Sequence, residues 1–139
     1  MISPRDGAGR LNKATILLAD DDLAFRQALQ SYLQTEFTIV GSVGDGQALL
    51  EAANRLRPDV IIADVVLPIV DGLHAARRIK ATHPEARIIF LSVYEEPAFV
   101  AEAEKSGALG YVLKRNASSD LIPVIHRVFD GDHFVSDAA

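Results

Sequence analysis

The sequence predicts an α/β fold, a doubly wound five-stranded parallel sheet with strand order 2-1-3-4-5 and helices on both faces. Two observations lead there. Short apolar runs rich in Val, Ile and Leu alternate along the chain with segments whose apolar residues recur at helical spacing. The run Val60-Ile61-Ile62-Ala63 is apolar at consecutive positions, as a strand covered on both faces must be. Such alternation calls for a parallel sheet joined by right-handed crossovers. The expected order makes the first and third strands neighbours at the switch point where open α/β sheets hold ligands.

The elements follow in order. Residues 1–13 carry Gly, Pro, Arg and Asp without periodicity and read as a flexible leader before a domain over 14–132. Thr15 to Ala19 is the first strand, ended by Asp20-Asp21-Asp22. Phe25, Leu29, Tyr32 and Leu33 then share one helical face, with Asp22 as the expected N-cap. Phe37 to Val43 is a β-branched second strand. Asp45-Gly46 opens a helix whose apolar side is Leu49, Ala52, Ala53 and Leu56, stopping before Pro58.

After the Val60 strand, Pro68 keeps Leu67 out of helical dihedrals, so the loop stays extended until Asp71-Gly72 starts a third helix. Arg87 to Leu91 is the fourth strand, and Pro97 begins a short helix through Ser106 with Gly107 as its left-handed terminator. That helix has thin apolar content, Phe99 and Val100 with several alanines. Gly110 to Leu113 is the fifth strand. The last helix presents Leu121, Ile122, Ile125, Val128 and Phe129, and Pro123 places its expected start near Ser119 or Asp120. Residues 133–139 read as a tail or the start of a linker.

Composition narrows the function. At 139 residues with 49% hydrophobic content, the chain can bury a proper core. No apolar run approaches the ~20 residues of a membrane-spanning helix, and the N-terminus lacks the apolar stretch of a secretory signal. The expected location is cytoplasmic, and the absence of cysteine excludes thiolate chemistry and disulfides. A net charge of −5 argues against this domain gripping nucleic acid unaided, since phosphate contacts need clustered cations.

Four strand ends carry reactive side chains. The first gives Asp20 and Asp21, the third Asp64, the fourth Ser92 and the fifth Lys114. In a parallel sheet these ends share one rim. Crowded carboxylates either protonate or hold a hard cation, and an all-oxygen donor set suits Mg²⁺ with part of its water shell. Lys114 would offset remaining charge, leaving room for a phosphoryl group shared by the cation, Lys114, Ser92 and loop amides. A carboxylate can itself be the nucleophile, and Asp64 is central on the rim.

Asp20-Asp21, Asp64-x-x-x-Pro68-x-x-Asp71-Gly72, Leu91-Ser92 and Gly110-Tyr111-Val112-Leu113-Lys114 together resemble the receiver domain of two-component response regulators, the CheY-like (βα)₅ fold. The resemblance covers residues 14–132. It implies a phosphoacceptor switch rather than an enzyme, with Asp64 taking phosphate from a sensor histidine kinase. Asp20, Asp21, Asp64 and the Val66 backbone carbonyl would hold Mg²⁺, Asp20 through water. Ser92 and Lys114 would contact the phosphoryl group. Tyr111 would turn inward when Ser92 moves, altering the face of the fourth helix, fifth strand and fifth helix. The stretches Ala19 to Arg26 and Leu91 to Glu96 look like the NarL/FixJ group, whose members regulate transcription through a helix-turn-helix output domain. Such a domain would supply any nucleic-acid contact, and phosphorylation would drive a homodimer.

Departures from the pattern are local. Val93 is bulkier than the residue usual beside the switch serine, Val66 is apolar beside the path of hydrolytic water, and Arg115 replaces a frequent proline. The alternatives are an aspartyl phosphatase of haloacid-dehalogenase-like chemistry, which would carry its nucleophile after the first strand, and a degenerate receiver that only binds a partner. A dinucleotide site lacks its Gly-x-Gly-x-x-Gly. Taken singly, Asp20 to Asp22 would be helix caps, Ser92 a post-strand cap, Lys114 a solvated lysine and Tyr111 a half-buried aromatic. His74, His83, His126 and His133 share no metal-site spacing and read as surface residues.

Overall fold

A computed structural model describes residues 13–132 and 134–137. The expected leader lies outside the described residues apart from Lys13, as does His133. The strands are β1 (Thr15–Ala19), β2 (Thr38–Val43), β3 (Val60–Ala63), β4 (Arg87–Ser92), β5 (Gly110–Leu113) and β6 (Val135–Ser136). The helices are α1 (Leu23–Leu33), α2 (Gly46–Leu56), α3 (Gly72–Thr82), α4 (Pro97–Lys105) and α5 (Ala117–Phe129). The sheet runs β2-β1-β3-β4-β5-β6, with every pairing parallel. The predicted order stands, and β6 adds a sixth strand at the β5 edge.

Strand alternation builds two cores. Leu17, Ile61, Ile88, Phe90 and Tyr111 face α2, α3 and α4, while Ile16, Leu18, Ile62, Ile89 and Val112 face α1 and α5. Each buried Leu, Ile or Val contributes ~1.5–3 kcal/mol over its exposed state, so these two layers fix the strand ends in space. Helix α4 is held least: Ala103 is its one fully buried residue among those described, with Phe99 and Val100 only partly covered. Asp22 and Asp45 cap α1 and α2 by accepting the amides of Phe25 and Ala48.

Helix α5 differs from expectation. It begins at Ala117, fed directly by a 3₁₀ turn over Lys114–Asn116, so Pro123 lies inside the helix rather than in its first turn. The buried face runs back through Leu121 to Ala117, and that packing outweighs the local cost. Pro123 has no amide hydrogen to give the Ser119 carbonyl, and both residues are exposed.

The loop after β3 is pinned from both sides. The Pro68 carbonyl accepts the amides of Gly46 (3.0 Å) and Val70 (2.8 Å). A Cβ on Gly46 would meet the Val70 carbonyl oxygen at 1.7 Å, so only glycine fits there. The Pro68–Val70 bond closes a γ-turn around Ile69, whose φ of 70° is a strained conformation for a β-branched residue. Ile69 is 80% exposed, so no burial offsets the strain. Ile69→Gly relieves roughly 1 kcal/mol, raising the thermal midpoint by about 3–5 °C in a calorimetric scan; an unchanged or lower midpoint contradicts the strain.

Candidate functional site

The carboxyl ends of β1, β3, β4 and β5 meet on one rim, and the side chains expected there converge. Oxygens of Asp20, Asp21 and Asp64 lie within 4.8 Å of one another, with Asp20 and Asp64 buried and Asp21 exposed. Neighbouring β1 and β3 pair Ala19 with Ala63, so the next residue of each strand delivers its carboxylate to the same spot. Lys114, one residue past β5, reaches across: its Nζ stands 2.7 Å from Asp20 Oδ2 and 2.9 Å from Asp64 Oδ2. The ammonium also lies 4.7 Å from the centre of the Phe25 ring. The other Asp64 oxygen accepts the Val66 amide at 3.2 Å.

Three carboxylates and one ammonium leave an excess of negative charge in a half-closed cup. Burial pushes the Asp64 carboxyl up, against the Lys114 and Val66 hydrogen bonds that pull it down. Burial also works against the Lys114 charge, but the hydrogen bonds it donates to Asp20 and Asp64 outweigh that and hold the ammonium above its ordinary value. The donor set fits a hard divalent cation: oxygen ligands only, net negative, and Asp21 open to water for a partly hydrated ion.

Ser92 is fully buried at the end of β4, its Oγ accepting the Tyr94 amide at 3.0 Å. Tyr111 is also fully buried, so it lies inward, and its phenol donates to the Tyr94 carbonyl at 2.6 Å. Burial pushes that phenol up, opposed by a hydrogen bond with Ser92. The Tyr94 ring stacks on Phe99 of α4 with centroids 4.3 Å apart, tying the loop to the helix. A cleft of about 240 Å³ opens beside the cup, lined by Ser92, Val93, Leu113, Lys114 and Arg115.

Several contributors escaped the sequence reading. Arg26 of α1 donates to the Asp20 carbonyl (2.5 Å) and to Ser42 Oγ (2.7 Å), fastening the β1–α1 loop to β2. Asp137 accepts the Leu113 amide and the Asn116 side chain, binding the segment after β6 to both flanks of Lys114. Arg115, which lines the cleft, pairs with Glu95 of the loop after β4 at 2.5 Å. Each joins residues remote in sequence, so no local spacing announces it. Asp71 caps α3 without a side-chain hydrogen bond, in keeping with a simple turn and helix start. Among the histidines, His74 and His126 are exposed and His83 is half-buried, close to Arg57 and Glu85.

Comparison with known proteins agrees with this geometry. Residues 16–126 match the response regulator receiver domain. The transcriptional regulatory protein DegU of Brevibacillus brevis is 31% identical over 126 residues, spanning 89% of this chain and 53% of DegU. The signal receiver domain of the response regulator NarL from Mycobacterium tuberculosis superposes with a TM-score of 0.82 at 28% identity, covering 86% of this chain and 98% of that one. The RcsB response regulator of Salmonella typhimurium gives 0.83 at 26% identity, over 92% of this chain and 65% of RcsB. The chain thus spans about half the length of the curated relatives it matches. With the fold, the acidic cup and the match over most of its length in agreement, this chain belongs to the response regulator receiver domain family.

Proposed function

We propose that Asp64 is the phosphoacceptor of a signalling switch that takes its phosphoryl group from the phosphohistidine of a sensor kinase. The observation that carries this reading is the Asp64 carboxylate, fixed from both sides by the Val66 amide and by Lys114 inside a triad of carboxylates. A nucleophile held in one orientation needs little reorganisation to reach phosphorus. Asp20, Asp21, Asp64 and the Val66 carbonyl would hold Mg²⁺, which supplies positive charge to the oxygens of the transferring group. Lys114 and the Ser92 hydroxyl take the remaining oxygens. A bond forms from an Asp64 oxygen to phosphorus as the bond to the donor nitrogen breaks, and the imidazole keeps the electron pair.

Once Ser92 turns to the phosphoryl group, the Tyr94 amide loses its acceptor. The loop carrying Tyr94 also holds Tyr111 and, through the Tyr94–Phe99 stack, α4. Movement there alters the surface of α4, β5 and α5. Weak anchoring of α4 supports this, because a switching element comes from the low-stability end of a fold. The switching unit is the receiver fold, with β6 and Asp137 packed on the β5 edge, and an output domain would be carried by chain beyond it. By analogy with the NarL, DegU and RcsB regulators, that domain would act on DNA in the cytoplasm, with dimer formation following phosphorylation. Among the described residues no helix is long and apolar enough to cross a membrane.

Acetyl phosphate with Mg²⁺ adds one phosphoryl mass to the intact chain, and Asp64→Asn takes none; modification of both alike sinks the assignment. The same substitution carries a stability consequence. Because burial raises the Asp64 carboxyl above its unfolded value, its contribution to folding is fully present below the ordinary aspartate value of 3.8 and lost as pH rises through the folded value. At neutral pH the ionised group therefore costs stability. In metal-free buffer at pH 7, Asp64→Asn melts about 2–5 °C higher than the parent chain. That advantage shrinks as pH falls toward 3.8; a lower midpoint at pH 7 refutes the burial argument.

A further inference from the structure

We infer that Arg115 is a binding residue for the dianionic phosphoryl group of small acyl-phosphate donors, held in reserve by Glu95. The inference rests on the reading of Asp64 as phosphoacceptor. Arg115 and Lys114 are consecutive, and both line the cleft of about 240 Å³ that opens on Ser92. Before transfer Lys114 is engaged by Asp20 and Asp64 oxygens at 2.7 and 2.9 Å, so an arriving donor meets its charge already partly neutralised. An anion entering the cleft also meets the field of three carboxylates. A second cation at the mouth is what offsets that repulsion.

Arg115 has the chemistry for this task. Its guanidinium is permanently charged, and its planar fork matches two phosphoryl oxygens at once. Its side chain is 62% exposed, and its partner Glu95, at 2.5 Å, is 56% exposed. An exposed pair of this kind is worth little, so exchanging one carboxylate for a dianion costs almost nothing. Glu95 lies three residues after Ser92 on the loop that also carries Tyr94. The pair therefore joins the segment after β5, where Arg115 lines the cleft, to the loop after β4.

In the transfer itself an Asp64 oxygen bonds to phosphorus while the phosphorus–oxygen bond to the acyl group breaks. The acyl carboxylate leaves with the electron pair, and no proton is required. Arg115 acts before that step, by raising occupancy of the cleft, and is not consumed in it.

The test uses the full chain with saturating Mg²⁺ and a concentration series of acetyl phosphate, following the initial rate of phosphoryl adduct by intact mass. Arg115→Ala lowers the rate at subsaturating donor about 5-fold, the scale of one partly exposed charge contact, and leaves the maximal rate unchanged. Arg115→Lys recovers part of the loss. Glu95→Gln, which frees the guanidinium, raises the subsaturating rate above that of the parent. Added salt lowers the parent rate more than the Arg115→Ala rate. Identical donor curves for parent and Arg115→Ala overturn the inference, as does a loss confined to the maximal rate. A parent chain that takes no phosphate at all overturns the phosphoacceptor reading instead, and with it this one. Thermal midpoints within about 1 °C of the parent show that the variants are folded, as expected for exposed positions.

Discussion

The bridge from Lys114 to Asp20 and Asp64 is the interaction on which the rest depends. Its members come from three different strand ends, and their side chains are only 5–16% exposed. Two buried carboxylates side by side repel each other, and a single ammonium between them converts that repulsion into attraction. Removing the shared ammonium of Lys114 leaves two carboxylates facing each other without a partner, a far larger loss than deleting an exposed pair. The bridge is possible only because β1, β3 and β5 run parallel and end at one level. The two apolar layers of the sheet are therefore what holds the charges in place.

That arrangement also explains why the acidic site and the surface of α4 are one structure. Ser92 follows the last apolar residue of β4, and its hydroxyl anchors the Tyr94 amide. Tyr94 in turn holds the Tyr111 phenol through its carbonyl and the α4 residue Phe99 through its ring. These contacts form one continuous chain from the rim to the least anchored helix. Tyr111 lies inward with its hydrogen bond made, so the buried state of this side chain is a stable packing arrangement in its own right. Among the described residues, the Ser92 hydroxyl and the Tyr94 amide are joined by a hydrogen bond of 3.0 Å, so any movement of that hydroxyl is felt directly by the loop.

The framework was legible because burial writes itself into sequence period. Val60 to Ala63 and Ile88 to Leu91 are apolar at consecutive positions, and α2 shows its face through Leu49, Ala52 and Ala53. The rim residues were legible because they follow those runs directly. What stayed hidden has two physical causes. Strand β6 has two residues, too few for any period, and exists because β5 offers it an unpaired edge. The start of α5 was misplaced because Pro123 was weighed as a local rule, whereas burial of Ala117 and Leu121 decided the boundary. The fasteners Arg26–Ser42 and Arg115–Glu95 join separate strand–helix units, so they arise from tertiary position alone.

The molecule sorts its polar contacts by depth, and the sorting follows function. Groups that must stay in register are buried: Asp20, Asp64 and Lys114 in the cup, Ser92 and Tyr111 behind it. Groups at the mouth are exposed, with Arg115, Glu95 and Val93 all open to water. An exposed ion pair is screened and worth at most ~1 kcal/mol, comparable to thermal energy, so it breaks and re-forms freely. A buried one does not. Under the phosphoacceptor reading proposed for Asp64, holding the carboxylate still while anions enter and leave needs both regimes within a few ångströms of each other. The carboxyl edge of a parallel sheet provides them, because each strand passes from the dry core into solvent within two or three residues of its end.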